Sequence, residues 1–290
     1  MRKTPHAAVA ALTLGLAAIV LSSMLPAAAS QNNMQLPLGP RMASGRTVTP
    51  AFEGWYPNPD GTYSLSFGYY NRNTEEVVEI PLGEDNFIEP ANLDGNQPTH
   101  FQPRRHWGTF AVTVPADFGD GRVVWTLKVR GETFAIPGHL KAEWKIDALA
   151  GEAGSGNTPP VLRFDADGPH GAGPRGITVS TATAKVGVPL DVTVWASDDG
   201  RPSTSVASGG RQNVPVSLTW FKHQGPGEVS FSEPSGEVPL EGGSMTTAAT
   251  FSAPGDYVLR VRANDASGVS GAGHAQCCWT NGFVKVSVTQ

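Results

Sequence analysis

The feature that most constrains this chain is a period-two alternation of apolar and polar residues, recurring in short runs from residue 51 to its end. In "TYSLSFGY", Tyr63, Leu65, Phe67 and Tyr69 alternate with Thr62, Ser64, Ser66 and Gly68. In "VVWTLKV", Val123, Trp125, Leu127 and Val129 share one face. In "PLDVTVWAS", Leu190, Val192, Val194 and Ala196 alternate with Asp191, Thr193, Trp195 and Ser197. Successive side chains of a strand point to opposite faces, so each run reads as a strand with one apolar side. Glycine and proline are abundant, 34 and 24 residues, and they fall between the runs, as in Pro59-Asp60-Gly61 and "FGDGR", where turns are needed. The chain is therefore expected to be all-β. Leu140 to Leu149 is the only helical candidate, and it is short.

The N-terminal thirty residues stand apart from this pattern. Arg2 and Lys3 precede the apolar run "AAVAALTLGLAAIVLSSML", and "PAAAS" follows with small residues. That order is that of a secretory signal peptide, residues 1–30, cleaved near Ala29 or Ser30. A retained membrane anchor is the competing reading of the same run. No cysteine lies there, which excludes a lipoprotein attachment, and no second apolar stretch reaches the ~20 residues of a spanning helix. Without Arg2 and Lys3 the formal charge moves from −5 to −7. Such acidity argues against nucleic acid and against anionic membrane surfaces. The expected location is secreted or periplasmic, with no membrane span after cleavage.

The remaining chain is long enough for about two domains. Residues 31–46 read as a flexible leader and 47–147 as an N-terminal β-sandwich. Residues 148–156, "ALAGEAGSG", lose all periodicity and read as a linker, leaving 157–290 as a second sandwich. Within it, "ATFSAPGDYVLRVRANDASG" resembles the closing strands of PKD-like and cadherin-like immunoglobulin-fold modules. A Pro-Gly turn precedes Tyr257, whose strand runs into Ala263 and Asp265, and "VWASDDG" is similar to the matching early strand. The resemblance, over residues 157–290, implies an immunoglobulin-fold sandwich there and a spacer, adhesion or non-catalytic role. With the first domain, whose strands suit a sandwich or small barrel, the chain is expected to hold two tandem β-sandwich, immunoglobulin-like domains. Two long interruptions, "RPSTSVASGGRQN" and "ASGVSGAGHAQCCWTN", exceed ordinary module loops. In the first domain, "SFGYYNRN", "IPLGEDNF" and "QPTHFQPRRHWGTFAVTV" resemble a β-module of exported bacterial proteins of unknown function.

Catalytic signatures for hydrolases, phosphate loops and dinucleotide binding are absent, so an enzyme is not expected. In "THFQPRRHW", His100 and His106, with Asp85 and Asp94, are candidate transition-metal ligands. On a regular strand their spacing would put the rings roughly 20 Å apart, so only a bent loop could join them. Arg104 and Arg105 are suited to grip a carboxylate or phosphate. Asp198 and Asp199, with Asn264 and Asp265, come from loops expected at one end of a sandwich and are candidate calcium ligands; no other cofactor is expected. Cys277 and Cys278, the only two cysteines, favour a vicinal disulfide in an oxidising compartment. Buried free thiols, an intermolecular bridge and a metal site with His274 are the alternatives. Among the aromatics Trp55, Tyr56, Tyr69, Tyr70, Trp107, Trp195 and Trp279, parity singles out Tyr70 and Trp195 as an outward ligand platform, with Trp279 beside the cysteines.

These features lead to an expected exported, non-catalytic binding or scaffolding protein whose partner is an unknown envelope protein or a glycan. The alternatives are a carbohydrate or peptide receptor using the exposed aromatics, and a redox or copper-handling protein using Cys277 and Cys278.

Overall fold

Alternating runs become paired strands throughout the computed structural model, which describes residues 41–146, 156–200, 214–267 and 277–290. The expected signal peptide, residues 31–40 of the leader and all of the expected linker except its final residue lie outside the described residues. The last six leader residues are held by the first domain. Gly45 donates to Glu76, the Arg46 amide donates to Asn73, and Thr74 donates to the Met42 carbonyl.

The first sandwich contains β1 (Val48–Pro57), β2 (Tyr63–Asn71), β3 (Val78–Glu79), β4 (Asn86–Glu89), β5 (His100–Phe101), β6 (Arg104–Val114), β7 (Val123–Val129) and β8 (Glu132–Gly138). One sheet has the order β1-β2-β6, the other β4-β7-β8, with β3 and β5 as a separate ribbon. The Pro-Asp-Gly segment makes the β1–β2 turn, in which Gly61 donates to Asn58 and Thr62 to the Asp60 carboxylate. The inward set Leu65, Phe67, Val123, Trp125 and Leu127 is fully buried. Phe67 stacks on Phe110 at 5.4 Å and meets Trp125 edge-on at 6.1 Å. Asn86 anchors this core, accepting from the Trp125 indole and donating to the Ile80 and Pro98 carbonyls. The Asn86 amide and the Trp125 indole are thereby matched within the core. Of the helical candidate Leu140 to Leu149, the described part, to Ile146, holds a single 3-10 turn, Ala142–Trp144.

The second sandwich comprises β9 (Val161–Arg163), β10 (His170–Ala172), β11 (Ile177–Lys185), β12 (Leu190–Ser197), β13 (Val216–Gln224), β14 (Val229–Phe231), β15 (Ser235–Val238), β16 (Gly243–Phe251), β17 (Gly255–Asn264) and β18 (Trp279–Thr289). Its sheets run β10-β9-β12-β16-β14 and β11-β18-β17-β13-β15, and β11 lies parallel to β18. Apart from β10 and the edge strands β11 and β15, this is the two-sheet strand order of an immunoglobulin-like domain. Two side chains reinforce the assignment. Trp220 on β13 is buried between the sheets, and the Tyr257 hydroxyl donates back to the Ala253 carbonyl at 2.8 Å. That backward bond at the start of a late strand is a tyrosine corner. The chain is thus all-β, with two sandwiches in series.

Candidate functional site

The two sandwiches meet directly. The second turns the outward face of β13, β17 and β18 toward the first, and side chains that parity sends away from its own core are buried there. Glu53 is the centre of this seam. The register of β1 against β2 skips one residue between Phe52 and Gly54, making Glu53 the extra residue of a bulge. Opposite, Trp107, Gly108 and Thr109 of β6 stand against Gly68 alone. The Glu53 side chain is fully buried, accepting from the Gly108 amide at 2.6 Å and from Arg105 Nη2 at 2.6 Å. Its carboxylate lies over Gly68, where any Cβ would collide with it and with the His106 carbonyl.

Around this one acid gather three guanidiniums. Arg105 lies over the Trp107 ring at 3.7 Å. Arg260 lies over Phe221 at 4.2 Å, and its Nη1 reaches the Gly108 carbonyl and Asn281. Arg262 donates to the Trp107 carbonyl. Burial pushes the Glu53 carboxyl above its ordinary range even though Arg105 draws it down. Burial also lowers Arg260 to about 9. Two histidines share the seam. His106, stacked on Tyr69 at 4.9 Å, falls to about 4 through burial and then the Arg260 charge. His223 donates to the Asn96 carbonyl at 2.8 Å and falls to about 3 for the same reasons. Farther along, Lys222 reaches Glu79 at 2.9 Å and Gln224 donates to the Gly95 and Gln97 carbonyls.

The histidine pair of the "THFQPRRHW" segment is thereby dispersed. His100 meets Glu79 at 2.6 Å, His106 donates to the Pro103 carbonyl, and Asp94 accepts from Ile88 and Gln97. Among the described residues no three His, Cys, Asp or Glu side chains gather to hold a metal. Arg105 does grip a carboxylate, but it is the chain's own Glu53. Arg104 instead leans over the Tyr70 ring at 5.2 Å.

At one end of the second sandwich the acidic residues assemble with the cysteines. The Asp198 carboxyl is raised to about 6 by burial and then by the charges of Asp265 and Asp199. Asp265 accepts from the Ser267 amide and hydroxyl and from Asn157, while Asp199 accepts from Thr158. Asn264 leaves its side-chain oxygen buried without a hydrogen-bond partner. Ser267 continues the network to the cysteines: its hydroxyl accepts from the Cys278 amide and lies 2.7 Å from the Cys277 carbonyl, which shares that one O–H with Asp265.

The structure pairs the two sulfurs with each other across a cis peptide. Both cysteines are at most 1% exposed and cluster with Trp279 and with Ile146 of the first domain, against which Tyr56 and Trp107 also pack. The pair is therefore an apolar plug at the junction of the two sandwiches. His274 lies outside the described residues.

The aromatic candidates separate by burial. Trp279 is 1% exposed, which corrects its expected place on a ligand platform: its ring fills the junction cluster. Trp195 and Tyr70 are half-buried on outward faces. Glu53, Arg260 and Arg262 were not singled out by the sequence. Their signal was a charge inside an apolar run, in "AFEGW" and "YVLRVRAN", at positions where solvent is the ordinary expectation.

No protein-family model and no curated protein matches the chain. Solved structures similar to it include the D00-D0 domain of intimin, at 13% identity over 84% of this chain and 100% of that one, with a TM-score of 0.25. Domains 4 and 5 of the S-layer protein SbsC give 12% identity, 77% and 90% coverage and a TM-score of 0.24. The PapD-like domain 7 of human CEP192 gives 10% identity, 46% and 87% coverage and a TM-score of 0.27. At scores this low the immunoglobulin-like assignment stands on strand order and the tyrosine corner alone.

Proposed function

We propose that this chain is an exported, non-catalytic protein, secreted or periplasmic, whose two sandwiches act as one binding or scaffolding body. The observation that supports this reading best is the seam. Burying Glu53 beside three guanidiniums is costly unless every member is held in place, so a body joined this way transmits position and presents its outer faces at a fixed angle. The second sandwich is read as PKD-like, a class of module suited to spacing and adhesion. Its partner is an envelope protein or a glycan.

Cross-linking the mature protein in envelope fractions of the producing cell, followed by pull-down, tests the reading. The expected result is a specific partner recovered chemically unchanged. Turnover of that partner would overturn the non-catalytic assignment. Copper or redox handling has less support, because Cys277 and Cys278 are closed off from solvent. Calcium is a proposal for the acidic corner alone, motivated by Asp265 and Asp199 being held by the adjacent Asn157 and Thr158, although the described residues show no ready-made group of three metal ligands. It requires the Ser267 and Asn157 donors to leave Asp265, and a calcium-dependent rise in melting temperature, lost in Asp198→Asn, is the outcome that supports it.

A further inference from the structure

We propose that the outer face around Trp195 is a binding subsite for a neutral oligosaccharide; this deepens the non-catalytic binding reading and rests on it. Trp195 lies on β12, directly opposite Ser244 of β16 on one side and Arg163 of β9 on the other. Residues opposite one another in an antiparallel pair share a face, so the indole, the guanidinium and the hydroxyl present together. Beside them opens a hollow of about 320 Å³, lined by Arg163, Trp195, Ser197, Glu241, Gly242 and Gly243. That is near the lower end of the size of small-ligand sites, roughly 300 Å³ and upward. Gly242 carries a φ of +125° in the turn that closes on Pro239. A glycine is what that conformation favours, and its missing side chain keeps the hollow open.

The chemistry selects the ligand. One half-buried indole is the apolar surface, and its neighbours across the face are polar: Thr193 and Thr246 share a hydroxyl bond at 2.8 Å, and Ser244 is exposed. Among the described residues neither Arg163 nor Glu241 makes an ion pair. The hollow therefore holds one flat aromatic face, one free donor fork and one free acceptor pair. A pyranose ring matches this set, with a C–H face to lie on the indole and adjacent hydroxyls to accept from Arg163 and donate to Glu241. A docked peptide strand does not match it, because β12 is paired on both sides and offers no backbone edge. An acidic glycan is disfavoured by Glu241 and by the net charge of −5 on the chain.

Calorimetric titration of the mature protein with neutral gluco-, manno- and N-acetylglucosamine oligosaccharides, and with oligogalacturonate as the charged comparison, decides this. The expected result is saturable binding of at least one neutral series. It should be weakened at least ~10-fold in Trp195→Ala, in line with an aromatic anchor, and about 2- to 10-fold in Arg163→Gln and Glu241→Gln. Unchanged melting temperatures establish that the variants are folded. Absence of neutral-sugar binding, retention of full affinity in Trp195→Ala, or tighter binding of oligogalacturonate would each overturn the subsite. Chain-length analysis of the recovered sugar separates the two readings. Shortened sugar overturns the non-catalytic reading and leaves the subsite standing, whereas an envelope partner captured without any sugar binding overturns only the subsite.

Discussion

The two outward faces of the second sandwich are written in the same alphabet and end in opposite surroundings. On β12, Thr193 and Trp195 alternate with buried Val192 and Val194; on β17, Arg260 and Arg262 alternate with buried Leu259 and Val261. Both strands carry polar or aromatic residues outward with period two. The first face meets solvent, and Trp195 stays half open. The second meets another domain, and Arg260 becomes 3% exposed. Periodicity thus decides which side chains leave a core, while the neighbour decides what leaving costs.

The sharpest way to break this contrast is to remove the acid of the covered face. Glu53→Ala leaves Arg260 and Arg262 buried without a carboxylate, and a loss of about 3–5 kcal/mol is expected from breaking a buried pair. Thermal melting of the purified protein checks it, and a loss near that of a surface substitution would show that the seam is not load-carrying for stability. Next in size is Tyr257→Phe, which deletes the tyrosine corner within the second sandwich alone. It should cost about 1–2 kcal/mol, the range for a partly buried hydrogen bond and its orphaned partners.

Acid should then act on the covered face and spare the open one. His106 and His223 have folded pKa values lowered to about 4 and about 3, so below their ordinary range near 6.5 the unfolded chain binds protons that the folded chain refuses. Their contribution to stability is present above about pH 6.5 and is lost as pH falls toward 4 and 3. Asp198 has the opposite sign. With its carboxyl raised to about 6, its contribution is present below pH 3.8 and lost as pH rises through 6, and Asp198→Asn should remove that part of the slope. Melting curves across pH 4–7 in the two backgrounds separate these terms; an unchanged slope in Asp198→Asn would remove the acidic assignment. The smallest effect is expected on the open face, where Trp195→Ala should alter stability by no more than about 0.5 kcal/mol while changing ligand binding.

Much of the architecture was legible in the residues. The inward set of β7, the Pro-Asp-Gly turn and the alternation of β12 appear in the structure as read, because each depends on local backbone geometry and one apolar face. The seam was not legible. Glu53 reaches it through a bulge in the β1–β2 hairpin, and the partners that hold its carboxylate, Arg105 and Gly108, come from β6, far along the chain. Trp279 was misplaced for a related reason: its indole packs with Ile146 of the other domain, a contact that no local pattern announces.

By itself the sequence determined that this is an all-β chain with apolar faces repeating every second residue, an acidic balance and two adjacent cysteines. Those properties follow from side-chain order and need no partner. Only the tertiary structure decided that one outward face is sealed around Glu53 and Arg260 while another leaves Trp195 beside Arg163 and Glu241, neither in an ion pair among the described residues. It also decided that Cys277 and Cys278 plug the junction between the sandwiches. Burial is a property of what lies across from a residue, and the chain's own order carries no record of that until it folds.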